Sequence, residues 1–263
     1  LELRLSKTFS GHHVWGNFAR TQATNEIHKY DDPALLPAYQ KQQGFAIGQD
    51  HANLTSGFAN TWDDVIGITR YDTNDDQKMP GMYDVIDYNG DGVIDSNDSA
   101  PYGYTGTPEN TYNATIGWDW KGFSVYVQFY GVTNVDRYVG FNSLGKNLDT
   151  VFDEGTFWTK YAQNADAPMP RVNSQPSYYE GTRFHYDGSF IRLKNAEISY
   201  TFTQSWVRHL GLSSLQVYVN GNNLWVWSRM PDDRESNYAG TGLASKGAYP
   251  TVKRVNMGVK INL

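Results

Sequence analysis

Segments in which apolar and polar side chains alternate recur along the chain. The last is the clearest: from Val255 to Leu263 the odd positions are apolar, and the even positions are polar or glycine. A period of two residues is typical of a β-strand with one apolar and one polar face. We identify about seven such segments of roughly 9–14 residues, a length suited to a tilted crossing of a membrane. They are residues 1–10, 12–24, 110–120, 122–132, 189–203, 214–227 and 250–263.

The residues between and within these segments predict how the strands are joined. Lys121-Gly122 separates two of them and is a signal for a tight hairpin, and Gly11-His12 lies between the first two. In the fifth segment the apolar parity changes around Lys194-Asn195. Such a change predicts a β-bulge, because one extra residue turns the following side chains to the other face.

The connections between the segments alternate in length. Short ones fall near 11, near 121 and at 204–213, whereas long ones cover 25–109, 133–188 and 228–249. Loops this long are uncommon in compact soluble domains. The alternation is typical of outer-membrane β-barrels, which have short periplasmic turns and long extracellular loops. A strand that runs to the last residue is also expected where the final strand of a barrel pairs with the first.

Two architectures place polar residues opposite an apolar strand face. A barrel directs them into a wet lumen, and a β-sandwich directs them into bulk water. The residues concerned are Gln128, Arg192, Glu197, Asn220, Asn256 and Lys260. Tryptophan pairs at strand ends, Trp118 with Trp120 and Trp225 with Trp227, resemble the aromatic girdles of membrane barrels. Because about eight strands are needed to close a barrel, we predict an all-β fold, an antiparallel transmembrane wall segment completed by residues outside this sequence.

Composition excludes several functional classes. The 263 residues contain no cysteine, which removes disulfide scaffolds, thiolate zinc sites and cysteine nucleophiles. A net charge of −6 lacks the basic footprint of a nucleic-acid binder, so no nucleic-acid partner is expected. No run of about 18 apolar residues suggests a transmembrane helix. Catalytic motifs are also missing, and the acid pairs Asp63-Asp64 and Asp232-Asp233 direct neighbouring side chains apart, so we do not expect an enzyme.

One motif has the residue types and spacing of a metal-binding loop. Residues 87–98 match the loop of an EF-hand, in which alternate residues direct oxygen atoms to one calcium ion. The predicted ligands are Asp87, Asn89, Asp91, the carbonyl of Val93, Asp95 and Asp98. Gly92 permits the sharp turn and Ile94 can anchor the loop in an apolar cluster, whereas Asp98 stands where glutamate is usual. With no helical pattern on either side, we predict a structural calcium ion in an extracellular loop.

A second segment, near 148–163, has the pattern of a helix and is rich in apolar and aromatic residues. These are Val151, Phe152, Phe157, Trp158 and Tyr161, with Tyr178, Tyr179, Phe184 and Tyr186 further along. Exposed rings could stack on sugars or anchor a partner protein, and the alternative is that they pack the loops against each other.

Together, several short motifs resemble the SusC/RagA-type TonB-dependent outer-membrane transporters of Bacteroidetes. Their order and spacing, over nearly the whole chain, carry the resemblance. The motifs are Asp31-Asp32-Pro33-Ala34, Gln43-Gly44, Tyr88 to Asp95, Tyr112 to Trp120, Lys121-Gly122-Phe123, Gln128 to Gly131, Phe190 to Asn195, Ile198-Ser199-Tyr200, Val217 to Leu224 and Tyr249-Pro250-Thr251. The final residue, Leu263, departs from the aromatic residue that usually ends the family.

The resemblance implies that residues 1–263 are the C-terminal part of a barrel of about 22 strands. It implies a plug domain and further strands upstream, contact with TonB through that plug, and a SusD-like surface lipoprotein that closes over the external loops. The implied function is uptake of oligosaccharides or oligopeptides across the outer membrane, with membrane lipid around the wall. The residues themselves leave two other classes open: a secreted calcium-stabilised β-sandwich that binds glycans, and a β-rich glycosidase.

Overall fold

Seven long strands dominate the computed structural model, which describes residues 1–138, 158–161, 181–182, 185–230 and 251–263. Each strand pairs antiparallel with the next long strand along the chain, in a single sheet. The strands are β1 (Glu2–Phe9), β2 (His12–Gln22), β3 (Asn110–Trp120), β4 (Phe123–Thr133), β5 (Phe190–Phe202), β6 (Ser214–Ser228) and β7 (Arg254–Asn262). The seven predicted segments and the all-β antiparallel class are therefore confirmed.

Short connections lie at one end of this sheet and long connections at the other, as predicted. Ser10-Gly11 and Lys121-Gly122 have positive φ angles at both residues, 48° and 81° in the first turn and 47° and 88° in the second. Two-residue hairpins of this type match the twist of the strands. At Gly122 a Cβ atom would lie 2.6 Å from the carbonyl oxygen of Thr201. The third short connection contains the helix Ser205–His209.

The predicted β-bulge lies in β5. Gln128 of β4 pairs with Asn195, and the next residue, Phe129, pairs with Leu193, so that Lys194 has no pairing partner in β4. The pairing between β5 and β6 also shifts register between Leu193 and Asn195. The bulge keeps the apolar side chains before and after it on one face of the sheet.

One face of the sheet is apolar, and on six of the seven strands it carries exposed large apolar side chains, β4 being the exception. Met257 is 82% exposed and Val255 65%. Other exposed members are Leu3, Leu5, Phe9, Val14, Phe18, Ile116, Ile191, Ile198, Val217, Val219, Val259 and Ile261. Within the described residues no second sheet covers this face, although the β-sandwich alternative requires one. An apolar surface of this extent is expected where a protein contacts lipid or another protein.

Aromatic rings form a continuous row at the end of the sheet that carries the short turns. The row crosses from Phe9 and His12 through the two tryptophans of β3 to Phe123 and the end of β5. Successive ring centroids are 4.6–6.5 Å apart, in the order Phe9, His12, Trp120, Trp118, Phe123, Tyr200, Phe202 and Trp206. Trp225 and Trp227 lie near the opposite end of β6 and are 52% and 46% exposed. The two ends of the apolar face thus carry aromatic residues, as the tryptophan pattern predicted.

The first long connection contains a small folded unit, which the sequence pattern did not predict. We call residues 51–101 the loop unit. Its antiparallel strand pairs are His51–Asn53 with Ser99–Pro101 and Thr55–Phe58 with Tyr83–Val85, and Arg70–Tyr71 runs parallel to Val93–Ile94. It also contains the α-helix Trp62–Gly67 and the 3-10 turns Asp75–Gln77 and Ser96–Asp98, while another 3-10 turn, Ala38–Gln40, precedes it. Its buried core consists of Ala59, Val65, Ile68, Tyr71, Met82, Tyr83, Val85 and Ile94.

The second long connection is described only in part. Asp136–Tyr138 pairs antiparallel with His185–Asp187 just beyond the ends of β4 and β5. Of the predicted helical segment near 148–163, the structure describes residues 158–161, which are not helical, and the remainder lies outside the described residues. Trp158 is 2% exposed, and its indole Nε1 donates to Asn60 Oδ1 of the loop unit at 2.7 Å. For this ring, the alternative that the loops pack against each other is confirmed.

In the part of the chain that the structure describes, no helix has the length and apolar composition needed to span a membrane.

Candidate functional site

The polar face of the sheet carries rows of hydrogen-bonded side chains that cross the strands. In one row, Gln128 Nε2 donates to Asn113 Oδ1 at 3.2 Å, and Asn195 Nδ2 donates to Gln128 Oε1 at 2.6 Å. Asn222 Nδ2 continues the row by donating to Asn195 Oδ1 at 2.5 Å. Because every amide oxygen in the interior of the row accepts from its neighbour, the four side chains on β3 to β6 hold one another in fixed orientations.

A cavity of about 630 Å³ lies against this amide row, near the end of the sheet that carries the long connections. It is lined by Pro108, Asn113, Gln128, Tyr130, Val132, Arg137, Phe190, Lys194 and Asn195. The bulge contributes two of these residues, Lys194 and Asn195, because it interrupts the regular pairing of β5 at this level.

Aromatic and cationic side chains stand together in this cavity. The rings of Tyr130 and Phe190 are 5.8 Å apart. Lys194 Nζ lies 5.9 Å from the Tyr130 ring, and the guanidinium of buried Arg192 lies 5.8 Å from Phe190. Flat rings beside amide donors and acceptors suit an extended polar ligand, because rings stack on its apolar faces while amides bond its polar groups.

Two further polar networks lie nearer the end with the short turns. Asn256 Nδ2 donates to Asn220 Oδ1 at 3.0 Å, and Asn220 Nδ2 donates to Glu197 Oε2 at 3.4 Å. Asp119 lies still closer to the short turns. Its carboxylate accepts from Trp15 Nε1 at 3.0 Å and lies 3.1 Å from His13 Nδ1.

The predicted polar-face residues do share one face of the sheet. Gln128, Glu197, Asn220 and Asn256 belong to the hydrogen-bonded rows, and Lys260 pairs with Gln216 on the same side. The sequence did not predict the cavity, since its lining comes from three strands and two loops. The parity change at Lys194-Asn195 is the signal that could have drawn attention to it.

The predicted calcium loop folds as an alternating series of turns. Asp87 accepts from the amides of Gly90 and Gly92 at 2.7 and 2.8 Å. Asn89 Oδ1 accepts from the Asp91 amide at 2.9 Å, and Asp91 Oδ1 accepts from the Val93 amide at 2.9 Å. These bonds turn three of the predicted ligands, Asp87, Asn89 and Asp91, back onto amides of the loop itself.

The last two predicted ligands belong to a capping box. Asp95 accepts from the Asn97 amide at 2.6 Å, while fully buried Asp98 accepts from the amides of Asp95 and Tyr88, both at 2.8 Å. Within the described residues, the loop does not bring three acidic side chains within 4.8 Å of one another. The calcium site therefore stays a prediction, with Asp98 engaged by the loop's own amides.

The acidic loop affects one neighbouring group. The pKa of Tyr39 is raised, first by burial of its hydroxyl and then by the negative charges of Asp98 and Asp95. Its hydroxyl donates to the Asn97 carbonyl at 2.6 Å, which joins the 3-10 turn Ala38–Gln40 to the loop. A cation bound in the loop would neutralise the negative charge that acts on Tyr39.

The acidic pairs have structural roles where the structure describes them. Asp64 accepts from the amides of Thr61 and Asn60, which lower its pKa, and it caps the helix Trp62–Gly67. Asp75, of the pair Asp75-Asp76, lies 2.7 Å from Lys78 Nζ. Asp232-Asp233, Val151, Phe152, Phe157, Tyr178, Tyr179 and Phe184 lie outside the described residues.

The chain is similar in sequence to two TonB-dependent receptors of Formosa agariphila. TonB-dependent receptor P3 is 27% identical over 193 residues, which are 69% of this chain and 19% of the receptor. TonB-dependent receptor P26 is 25% identical over 221 residues, 78% of this chain and 22% of that receptor. The chain thus spans about one fifth of the length of these relatives. No family model matches it.

Solved structures of the RagAB peptide transporter share the fold. One aligns with 99% of this chain and 28% of its own, with a TM-score of 0.64 and 16% sequence identity. The open-open state of the RagAB peptide importer aligns with 100% of this chain and 28% of its own, with a TM-score of 0.61 and 17% identity. The relatives are receptors and transporters, not enzymes.

Proposed function

We propose that this chain, a portion of a SusC/RagA-type TonB-dependent transporter, forms part of the wall of an outer-membrane nutrient importer. The rest of the barrel would come from further residues of the same polypeptide. A plug domain in that remainder would couple transport to TonB, and the long connections would face the outside of the cell.

A single observation carries this proposal: the same seven strands expose an apolar surface on one side and hydrogen-bonded polar rows on the other. Val217 and Val219 are 42% and 47% exposed on the first side, whereas Asn220, between Val219 and Gly221 in β6, bonds Glu197 and Asn256 on the second. Lipid against the first side and a wet lumen against the second would satisfy both sets of side chains.

The dimensions of the sheet fit a bilayer. In β6, Val217 pairs with Tyr200 of the aromatic row, and Trp227 lies about ten residues further along the strand. This stretch of the strand is roughly 33 Å long. Strands of membrane barrels tilt by about 35–45°, which reduces this to a height of roughly 25 Å, the usual height of the apolar band between girdles.

The substrate we propose is an oligosaccharide or an oligopeptide. The cavity beside the amide row offers rings and amides but few acids, which suits elongated polar ligands of either kind. The structural neighbours are named as peptide transporters, which supports the peptide alternative. A SusD-like surface lipoprotein would close over the long connections, and calcium in residues 87–98 would hold the first of them.

Cysteine labelling tests the orientation of the wall. These 263 residues contain no cysteine, so Val219→Cys and Asn220→Cys can each be introduced into the full-length polypeptide in outer membranes, with the polypeptide that lacks both changes labelled in parallel as the background. We expect a water-soluble maleimide to label the Asn220→Cys protein and a lipid-soluble maleimide to label the Val219→Cys protein. The neighbouring positions differ only in the face they occupy, so equal labelling of both by the water-soluble reagent would contradict the proposal.

Binding experiments test whether the cavity holds the substrate. The full-length polypeptide should bind oligopeptides or oligosaccharides of a few units, and Tyr130→Ala should weaken that binding, since it removes a ring from the cavity. Tyr30→Ala is the control, because that ring is exposed and does not line the cavity. Equal affinities of both variants and the unmodified protein would exclude the cavity as the binding site.

A further inference from the structure

Asp50, Asp136 and His185 come together from distant parts of the chain, at the end of the sheet that carries the long connections. A potential ligand atom of each lies within 4.8 Å of the other two. Asp136 and His185 are almost fully buried, with side chains 7% and 6% exposed, and His185 Nδ1 lies 3.0 Å from Asp136 Oδ1. No other group of three acidic, histidine or cysteine side chains converges in this way among the described residues.

We propose that Asp50, Asp136 and His185 bind one divalent transition-metal ion, and that zinc is the ion that this donor set fits best. One imidazole nitrogen with two carboxylates is a borderline ligand set, between the all-oxygen sites of calcium and magnesium and the thiolate sites of softer metals. Zinc bonds of about 2.0–2.1 Å at tetrahedral angles place ligand atoms roughly 3.3 Å apart. The observed separation of His185 Nδ1 from Asp136 Oδ1 is 3.0 Å, close to this value, and a carboxylate oxygen of Asp50 lies within 4.8 Å of both atoms.

A second imidazole, that of His51, directly follows Asp50 in the chain, and one of its two nitrogens has no hydrogen-bond partner among the described atoms. His51 Nδ1 lies 3.1 Å from the carbonyl oxygen of Gln49, so it carries the proton, and Nε2 carries a lone pair. That Nε2 is buried and has no hydrogen-bond partner among the described atoms. A buried nitrogen of this kind is expected where an ion or an ordered water completes the environment.

The protein has room for the ion and for a fourth ligand. Gly103 has a φ of 60°, and a Cβ atom there would lie 2.3 Å from Asp136 Oδ2, so the glycine is what permits the carboxylate to approach. A cavity of about 470 Å³ opens beside Asp136 and His185. Three protein ligands and one open position are the arrangement of zinc sites that accept water or a ligand group.

Such an ion would cross-link the first long connection to the second. Asp50 directly precedes the loop unit, whereas Asp136 and His185 are 49 residues apart and lie on the two paired strands beyond β4 and β5. A cross-link between distant segments stabilises a fold by restricting the unfolded chain.

Metal content tests the site independently of transport. The full-length polypeptide, purified in detergent, would be stripped with chelator, reloaded with zinc chloride alone and analysed by mass spectrometry. We expect His185→Gln and Asp50→Asn to contain one zinc ion fewer per polypeptide than the unmodified protein. His209→Gln, the same change at an exposed histidine in a short connection, should retain the full content.

Calorimetric titration with zinc provides the second measurement. We expect the affinity of the Asp50→Asn protein to fall by more than about tenfold, because even outer-shell changes at metal sites typically cost about 10–100-fold. Heat-modified migration in gels would verify that each variant is folded. If the folded variants and the unmodified protein hold equal zinc with equal affinity, Asp136 and His185 form only an ion pair, and the proposal is overturned.

Discussion

Branched apolar side chains have opposite surroundings in the seven-stranded sheet and in the loop unit. On the sheet, Val219 and Ile198 are 47% and 54% exposed, whereas in the loop unit Val85 and Ile94 are 2% and 0% exposed. The loop unit reaches this burial with strands of only two to four residues, one short helix and a capping box at Thr61. The sheet has far longer strands and still leaves its apolar face open.

This difference in exposure of apolar side chains indicates the medium to which each region is suited. A unit surrounded by water must turn its apolar side chains inward, because their exposure costs about 25 cal/mol per Å². A wall surrounded by hydrocarbon gains nothing from hiding them and must instead satisfy every backbone group within the sheet. In the proposed importer the polar rows on the opposite face would line the lumen, where side chains such as those of the amide row from Asn113 to Asn222 bond one another.

The core of the loop unit offers the largest expected effect. Ile94→Ala removes a fully buried side chain and should destabilise the loop unit by about 2–5 kcal/mol. Hydrogen exchange of residues 51–101 in the full-length polypeptide should rise, while exchange of the seven strands stays low. Ile198→Ala, on the exposed face of β5, is the matched control and should leave the loop unit unchanged. Equal exchange in both variants would show that the unit has no independent core.

A charge placed on the sheet distinguishes lipid from water. Val219→Lys should destabilise the folded protein by about 2 kcal/mol, since a lysine on the lipid side costs about 2–4 kcal/mol at the bilayer centre and less toward the interfaces. Asn220→Lys, one residue along β6, should be tolerated beside Glu197. Urea titration of the protein in lipid vesicles measures both. In water, a lysine at exposed position 219 would change stability by less than about 0.5 kcal/mol.

The sheet could be predicted from the sequence because apolar and polar residues alternate along each long strand. Alternation over nine or more residues, as from Val255 to Leu263, identifies a strand and its two faces together. The bulge could be found for the same reason, since Lys194 breaks an otherwise regular pattern. Turn positions followed from Gly11 and Gly122, where positive φ angles are needed.

The loop unit and both cavities could not be found in that way. Strands such as Arg70–Tyr71 are too short to show a period, and they are stabilised by contacts between residues far apart in the chain. The cluster of Asp50, Asp136 and His185 illustrates this best, because no local spacing connects its members. Residues 87–98 were recognisable because all their predicted ligands lie in one continuous segment.

Calcium removal sharpens the comparison, because it should act on the loop unit and leave the sheet intact. A ligand that binds only the folded form stabilises it by about 2.7 kcal/mol at a hundred times its dissociation constant. We therefore expect chelation to increase proteolysis near residues 87–98, and calcium, but not magnesium, to reverse it. Asp91→Asn should make cleavage insensitive to calcium. If chelation leaves cleavage unchanged, calcium does not hold this loop.

Removal of the contact between the two long connections should weaken their docking by a moderate amount. Trp158→Phe removes the bond from the indole nitrogen to Asn60 Oδ1 and should cost about 1–3 kcal/mol of docking energy. Hydrogen exchange at the start of the helix Trp62–Gly67 would report it. Tyr161→Phe is the control, because Tyr161 is 89% exposed. Identical exchange in the two variants would mean that the buried indole does not fasten the loop unit.

The smallest expected effect is a dependence of the loop unit on pH. The side chain of Lys78 and the amide of Tyr71 lower the pKa of Asp75, so its carboxylate stabilises the unit above the ordinary aspartate range, and this contribution is lost as the pH falls through the lowered pKa. Because Asp75 is 41% exposed, the contribution should be only about 0.2–1 kcal/mol. The protection of the Tyr71 amide against hydrogen exchange, corrected for the slower intrinsic exchange at low pH, should therefore fall on acidification, and Asp75→Asn should show that lower protection already at neutral pH. Asp76→Asn changes the neighbouring acid and should behave as the unmodified protein; the same loss of protection in both variants would assign the effect to net charge rather than to the bond with Lys78.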